Sequence, residues 1–262
     1  KMLHEQTHGC NDGTNDVPTQ DLHSKIQVDK EEEEKKKEKE KEKVKGYVAR
    51  LYANDPLLPV LHLNLKTVGD EAATQLATAL RVNSSLRKLI LVGNEVGAEG
   101  AKELAGVLRI NSSLQALQLY GNELGDEGAT ELAAALRVNS SLVELRLSCN
   151  ELGDEGATEL AGALRINSAL VELGLSYNYV KAAGATELAA ALHVNTSLTT
   201  LVLHRNEVGT EGAAKLVAAL HVNSSLIELR LDGNPLGSAD EEALSNAWGL
   251  ARCHRHRLDL RL

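Results

Sequence analysis

Phenylalanine is absent from this chain, tryptophan and methionine occur once each, and all aromatic side chains together make up 2% of 262 residues. A conventional core of that size uses aromatics to fill irregular space. Without them the interior has to be assembled from repeated layers of Leu and Ala. Cysteine is scarce too. Cys10, Cys149 and Cys253 lie far apart, which is no disulfide framework and fits a reducing compartment. No apolar run approaches the roughly 18 residues of a membrane span. No secretory leader is expected, because Met2-Leu3-His4-Glu5 runs straight into polar residues. These features predict an intracellular, cytoplasmic protein without membrane insertion. The formal net charge of -9 argues against nucleic acid as a partner, since phosphate neutralisation needs clustered Lys and Arg.

What the chain does have is a repeat. Leu58, Leu86, Leu114, Leu142, Leu170, Leu198 and Leu226 follow one another at a constant spacing of 28, and each opens the same phrase. The copy from Leu114 to Ser141 reads LQALQLYGNELGDEGATELAAALRVNSS. In it Leu117 and Leu119 alternate with Ala116, Gln118 and Tyr120, a period-two pattern that predicts a short strand. Leu132, Ala135 and Leu136 recur at helical spacing and predict an amphipathic helix over 126–138. Asp126 and Glu127 sit where a helix start takes a cap and negative charge. Asn139 suits a left-handed cap after the helix, with Ser140 and Ser141 turning toward the next strand.

One strand and one helix cannot bury their own leucines, but stacked copies can. The predicted fold is therefore an α/β solenoid, a right-handed βα horseshoe with a parallel sheet on its concave face and helices on its convex face. Asn94, Asn122, Asn150, Asn178, Asn206 and Asn234 share one place after the strand, and are expected to form a ladder pairing buried backbone groups of the turn.

The phrase LxxLxLxxNxLGxEGAxxLAxALxxNxS resembles the ribonuclease-inhibitor subtype of leucine-rich repeat, also found in NOD-like receptors and the Ran GTPase-activating protein. The resemblance runs from about Leu51 to Leu262. It implies a horseshoe that binds proteins through its concave face and rims.

The expected organisation is a disordered segment over 1–29, a charged Glu/Lys helix or spacer over 30–45, an N-terminal cap over 46–57, seven repeats over 58–254, and a capping strand over 255–262. In the charged tract Glu31–Lys35, Glu32–Lys36 and Glu33–Lys37 are favourable helical pairs of a few tenths of a kcal/mol each. In the first copy Lys66 replaces the ladder asparagine. Glu241 to Leu250 reads as the last helix, followed by Leu258, Leu260 and Leu262 as the closing strand.

Candidate chemistry is thin. Gly125-Asp126-Glu127-Gly128 would present carboxylates to a phosphate and lacks the following Gly-Lys-Ser/Thr, so it reads as a turn. Asn83, Asn111, Asn139, Asn195 and Asn223 fit the glycosylation pattern, yet all occupy one recurrent turn that the fold explains. Cys253, His254 and His256, like His4, His8 and Cys10, lack a second half at metal-site spacing. No catalytic residues, cofactor or metal are expected. The positions left free by the scaffold are the outward strand residues, among which Tyr120, Arg146, Tyr177, His204, Arg205 and Arg230 are of the types that dominate interfaces. The expected function is a non-catalytic scaffold binding another protein, as a monomer or a subunit of a hetero-complex. Two alternatives stand beside it: GTPase activation resembling the Ran activator, and a structural subunit of a ciliary or organellar assembly.

Overall fold

The computed structural model describes residues 19–63, 69–237, 242, 244 and 259–261. Readings that fall on Lys66, the His4, His8 and Cys10 group, the Cys253, His254 and His256 group, Leu258 and Leu262 lie outside the described residues, as does most of the last helix. The chain divides into two units, Lys1–Lys39 and Glu40–Leu262.

The first element is one helix, α1 (Thr19–Tyr52). It starts inside the stretch expected to be disordered, and it takes in both the charged tract and the cap. The reason is local: the tract contains no proline and its residues are good helix formers, so nothing interrupts the helix before Tyr52. Its last turns become amphipathic. Val44 and Leu51 are buried, with Tyr47 and Val48 packed against the same core, the spacing of one helical face.

From there strands and helices alternate: β1 (Val60–His62), α2 (Gly69–Leu80), β2 (Lys88–Ile90), α3 (Ala98–Leu108), β3 (Ala116–Gln118), α4 (Gly125–Leu136), β4 (Glu144–Arg146), α5 (Asp154–Leu164), β5 (Glu172–Gly174), α6 (Ala182–Leu192), β6 (Thr200–Val202), α7 (Gly209–Ala219), β7 (Glu228–Arg230) and β8 (Asp259–Arg261). The eight strands form one parallel sheet in sequence order. Register follows the repeat, so that Leu61, Leu89, Leu117, Leu145, Leu173, Leu201 and Leu229 lie side by side and end on Leu260. From Leu61 to Leu229 these leucines are essentially fully buried. Consecutive helices from α2 to α7 pack against one another. Glycine in the first helical turn allows that approach. A Cβ on Gly156 would meet Ala129 Cβ at 3.0 Å, and one on Gly184 would meet Ala157 Cβ at 2.9 Å.

Two asparagine ladders run through the stack. In the first, Asn122 donates to the carbonyls of Leu91 and Leu119, both at 2.8 Å, and accepts from the amides of Asn94 and Val96. Asn178 and Asn206 repeat this bridging between neighbouring copies. The second ladder was not foreseen. Asn139 is not a left-handed cap; its side chain is buried. It donates to the carbonyls of Leu108 at 2.7 Å and Asn111 at 3.3 Å, and accepts from the amides of Ser141 and Leu142. Asn83, Asn111, Asn167, Asn195 and Asn223 hold equivalent places. Tertiary pairing wins here because a buried helix end must satisfy its last carbonyls.

The expected cap also needs correction. Asp126 makes no side-chain cap on its own helix α4. Its Oδ1 instead accepts the amides of Gly153 at 2.7 Å and Gly156 at 2.9 Å, at the start of α5. Asp70 serves Gly97 and Gly100 of α3 in the same way, and Asp154 serves Lys181 and Gly184 of α6. Helix starts lie next to each other in the stack, so a carboxylate reaches the neighbouring N-terminus with its unpaired amides. Where alanine stands at this place, at Ala98 and Ala182, the following helix begins on a left-handed glycine instead, Gly125 with φ 58° and Gly209 with φ 63°.

Candidate protein-binding surface

The outward sheet positions carry an ordered ionic network. Ala116 in β3 is small and nearly buried, and Lys88 reaches past it from β2 to Glu144 in β4, Nζ to Oε2 3.2 Å. Arg146 Nε lies 2.8 Å from both Glu144 and Glu172. Gln118 donates to Glu144 as well. Burial alone would raise the Glu144 carboxyl, but hydrogen bonds from Gln118 and Lys88 and the charge of Arg146 outweigh it and hold the group below its ordinary value. Further along, Arg230 Nε is 3.3 Å from Asp232, whose other oxygen faces His204 Nδ1. Burial of Asp232 acts upward there too, and the Arg230 hydrogen bond with the His204 charge lowers it overall.

Between these two groups the sheet has a gap. Gly174 occupies an outward position in β5, where β4 carries Arg146 and β7 carries Arg230. A Cβ at Gly174 would find only ordinary contacts, the nearest at 3.5 Å from Arg146 Cγ, so the scaffold does not demand glycine there. The missing side chain leaves a basin of about 360 Å³ bordered by Arg146, Glu172, Ser176, Glu228 and Arg230.

The six residues singled out by sequence fall into three settings. Arg146 and Arg230 are in strands. Tyr120 and His204 follow strands on the same side. Tyr177 and Arg205, expected in strands, instead occupy the turn beyond, with φ 54° and 51°. The turn must bend there to carry the ladder asparagine beneath the sheet, which breaks the strand alternation. Tyr177 and His204 rings meet edge-on at 5.1 Å, and the Arg205 guanidinium lies 5.2 Å above the Tyr177 ring. Tyr120 contacts the Cys149 thiol, whose hydrogen bond raises the Tyr120 hydroxyl above its ordinary value. Tyr177, His204 and Arg205 therefore form one cluster, with Arg230 joined to His204 through Asp232, while Arg146 and Tyr120 lie on earlier copies.

Tyr179 joins the patch and was missed. It stands directly after a ladder asparagine, where Glu95, Glu123, Glu151 and Glu207 stand in other copies, and that departure was its legible signal. Among the described residues no three His, Cys, Asp or Glu side chains converge as a metal site would require, and no described helix is long and apolar enough to cross a membrane.

A parallel sheet of leucine-centred strands, backed by one helix per copy and pinned by asparagine ladders, defines a leucine-rich-repeat solenoid. Residues 40–184 match the TMOD/LMOD leucine-rich domain, and residues 194–217 match a leucine-rich repeat. With more than half of its length in that match, the chain belongs to the TMOD/LMOD leucine-rich domain family. The expected leucine-rich repeat is thereby met, in a family described as TMOD/LMOD. A solved structure of leiomodin-1 actin-binding site 2 is 24% identical, with TM-score 0.50, covering 55% of this chain and 84% of that one. The tropomodulin C-terminal domain of Caenorhabditis elegans is 23% identical, with TM-score 0.51, covering 58% of this chain and 92% of that one. Both likenesses are of fold. No curated protein matches.

Proposed function

We propose that this chain is a non-catalytic, intracellular protein-binding module whose sheet face carries the contact, with Tyr120, Arg146, Tyr177, His204, Arg205 and Arg230 as its recognition residues. The observation that carries this reading is the basin at Gly174. An outward glycine weakens a strand by roughly 0.5–1 kcal/mol and packs nothing, yet here it opens a polar recess between two arginines held by neighbouring acids. A fixed, charged recess suits a partner side chain or backbone better than open solvent does.

Actin is the first partner to test, because one of the structures this chain resembles is actin-binding site 2 of leiomodin-1. Co-sedimentation of the full chain with filamentous actin, and gel filtration with monomeric actin, should show binding. The pair Arg146→Ala and Arg230→Ala should weaken it at least tenfold while the circular dichroism spectrum stays unchanged. Failure of the wild type to bind either form removes actin. Undiminished binding by the folded double variant removes the sheet face.

A further inference from the structure

One column of the turn departs from its own rule. The position before each ladder asparagine has a left-handed backbone in six successive copies, and glycine fills it at Gly93, Gly121 and Gly233, with φ from 63° to 76°. In the three copies between Gly121 and Gly233 the column reads Cys149, Tyr177 and Arg205, with φ 54°, 54° and 51°. Side chains rarely adopt that conformation, and a non-glycine residue there costs about 1 kcal/mol or more. The backbone is over-determined, so it does not relax. The amides of Cys149, Tyr177 and Arg205 donate to carbonyls of the following copy at 2.9–3.0 Å, and Asn150, Asn178 and Asn206 hold the preceding carbonyls.

Strain maintained in consecutive copies, when glycine is the local solution on either side, implies that the side chains themselves are used. They project outward. Tyr177 is 44% exposed and Tyr179 54% exposed. Arg205 stacks on Tyr177, and among the arginines whose side chains are described it is the one with no carboxylate or carbonyl partner; the others pair with acids or, for Arg87, with a backbone carbonyl. Beside it Tyr179, Glu207 and Gly233 border an open cleft of about 440 Å³. Gly233 keeps that space clear, since a Cβ there would meet Arg205 Cγ at 2.7 Å.

We propose that this rim, built on Tyr177, Tyr179 and Arg205, is a docking site for a partner protein segment that presents a carboxylate next to an apolar side chain. The carboxylate takes the unsatisfied N–H groups of Arg205, and the apolar group lies on the tyrosine rings. His204 cannot serve the carboxylate, being turned to Asp232, and Glu207 on the cleft edge repels a second acid and so favours a single one. The site rests on the protein-binding reading given above, shares Tyr177 and Arg205 with it, and extends it past the strand ends to Tyr179.

Nuclear magnetic resonance on the whole isotope-labelled chain tests it, with a synthetic peptide of alternating Asp and Leu as the probe and one of alternating Lys and Leu as its counterpart. The Asp/Leu peptide should shift the amides of Tyr177 to Tyr179 and His204 to Glu207, and the Lys/Leu peptide should not. Tyr177→Gly and Arg205→Gly should each weaken the response at least tenfold and raise the thermal midpoint by about 2–4 °C as strain is released. No response to the Asp/Leu peptide, an equal response to both peptides, or undiminished binding in the glycine variants overturns the site. A lowered midpoint overturns the strain argument. The actin measurement depends on Arg146 and Arg230, which the peptide does not need, so either result can fail without the other.

Discussion

Replacing Asp154 with alanine should destabilise the solenoid more than replacing Asp126, although the two carboxylates make the same pair of hydrogen bonds. Each accepts two amides at a helix start, 2.8 Å and 2.8 Å for Asp154 against 2.7 Å and 2.9 Å for Asp126. A charged cap of this kind is worth about 2 kcal/mol. The difference lies in the residue that receives it. After Asp126 comes Gly153, which can turn left-handed without steric cost, the solution seen at Gly125 and Gly209 beside Ala98 and Ala182. After Asp154 comes Lys181, with φ -104°, and a left-handed lysine costs about 1–2 kcal/mol. Asp126→Ala should therefore cost about 1 kcal/mol and Asp154→Ala about 2 kcal/mol by urea denaturation followed by circular dichroism. Lys181→Gly then becomes diagnostic. In the wild type it should destabilise by roughly 0.5 kcal/mol, through chain entropy. In the Asp154→Ala background it should stabilise by about 0.5 kcal/mol, because the glycine start becomes available and more than offsets the chain entropy. The reasoning is refuted if the two alanine variants are equally stable, or if Lys181→Gly has the same sign in both backgrounds.

Two further outcomes follow from the interior and the sheet face. Asn139→Ala removes both partners of a buried bridge and leaves carbonyls and amides unpaired, so it should cost about 2–3 kcal/mol, read as a lowered denaturation midpoint; a loss below 0.5 kcal/mol, on the order of an exposed substitution, would contradict the ladder. Asp232 has a folded value depressed below its ordinary 3.8, so the stability it contributes is present above that pH and lost as pH falls through the folded value. The stability gap between the wild type and Asp232→Asn should accordingly be full at neutral pH and shrink below about pH 4, and a gap that widened in acid would reverse the assignment.

The spine of the fold was legible because it is periodic in sequence. Leu117 and Leu145 are 28 residues apart and adjacent in space, so counting along the chain finds the sheet. The turn was harder to read. Alternation continued past β5 places Tyr177 on the strand, and only alignment with Gly121 and Gly233 exposes the bend. Nor did local rules locate the caps: they pair a helix start with an acid two or three residues away, whereas Asp126 serves amides 27 and 30 residues on. Asn139 misled for the same reason, since its partners at Leu108 and Asn111 belong to the copy before.

Caps shared across copies also mean that the copies are not interchangeable bricks. Excising 115–142 would set Ala98 against the start of α5, where Gly153 can adapt. Excising 143–170 would set Asp126 against Lys181 and still supply its acceptor. Losing both blocks together would leave Ala98 facing Lys181, with neither a carboxylate nor a glycine at the junction. Here, between Ala98 and Lys181, either copy can be lost alone more readily than the two together.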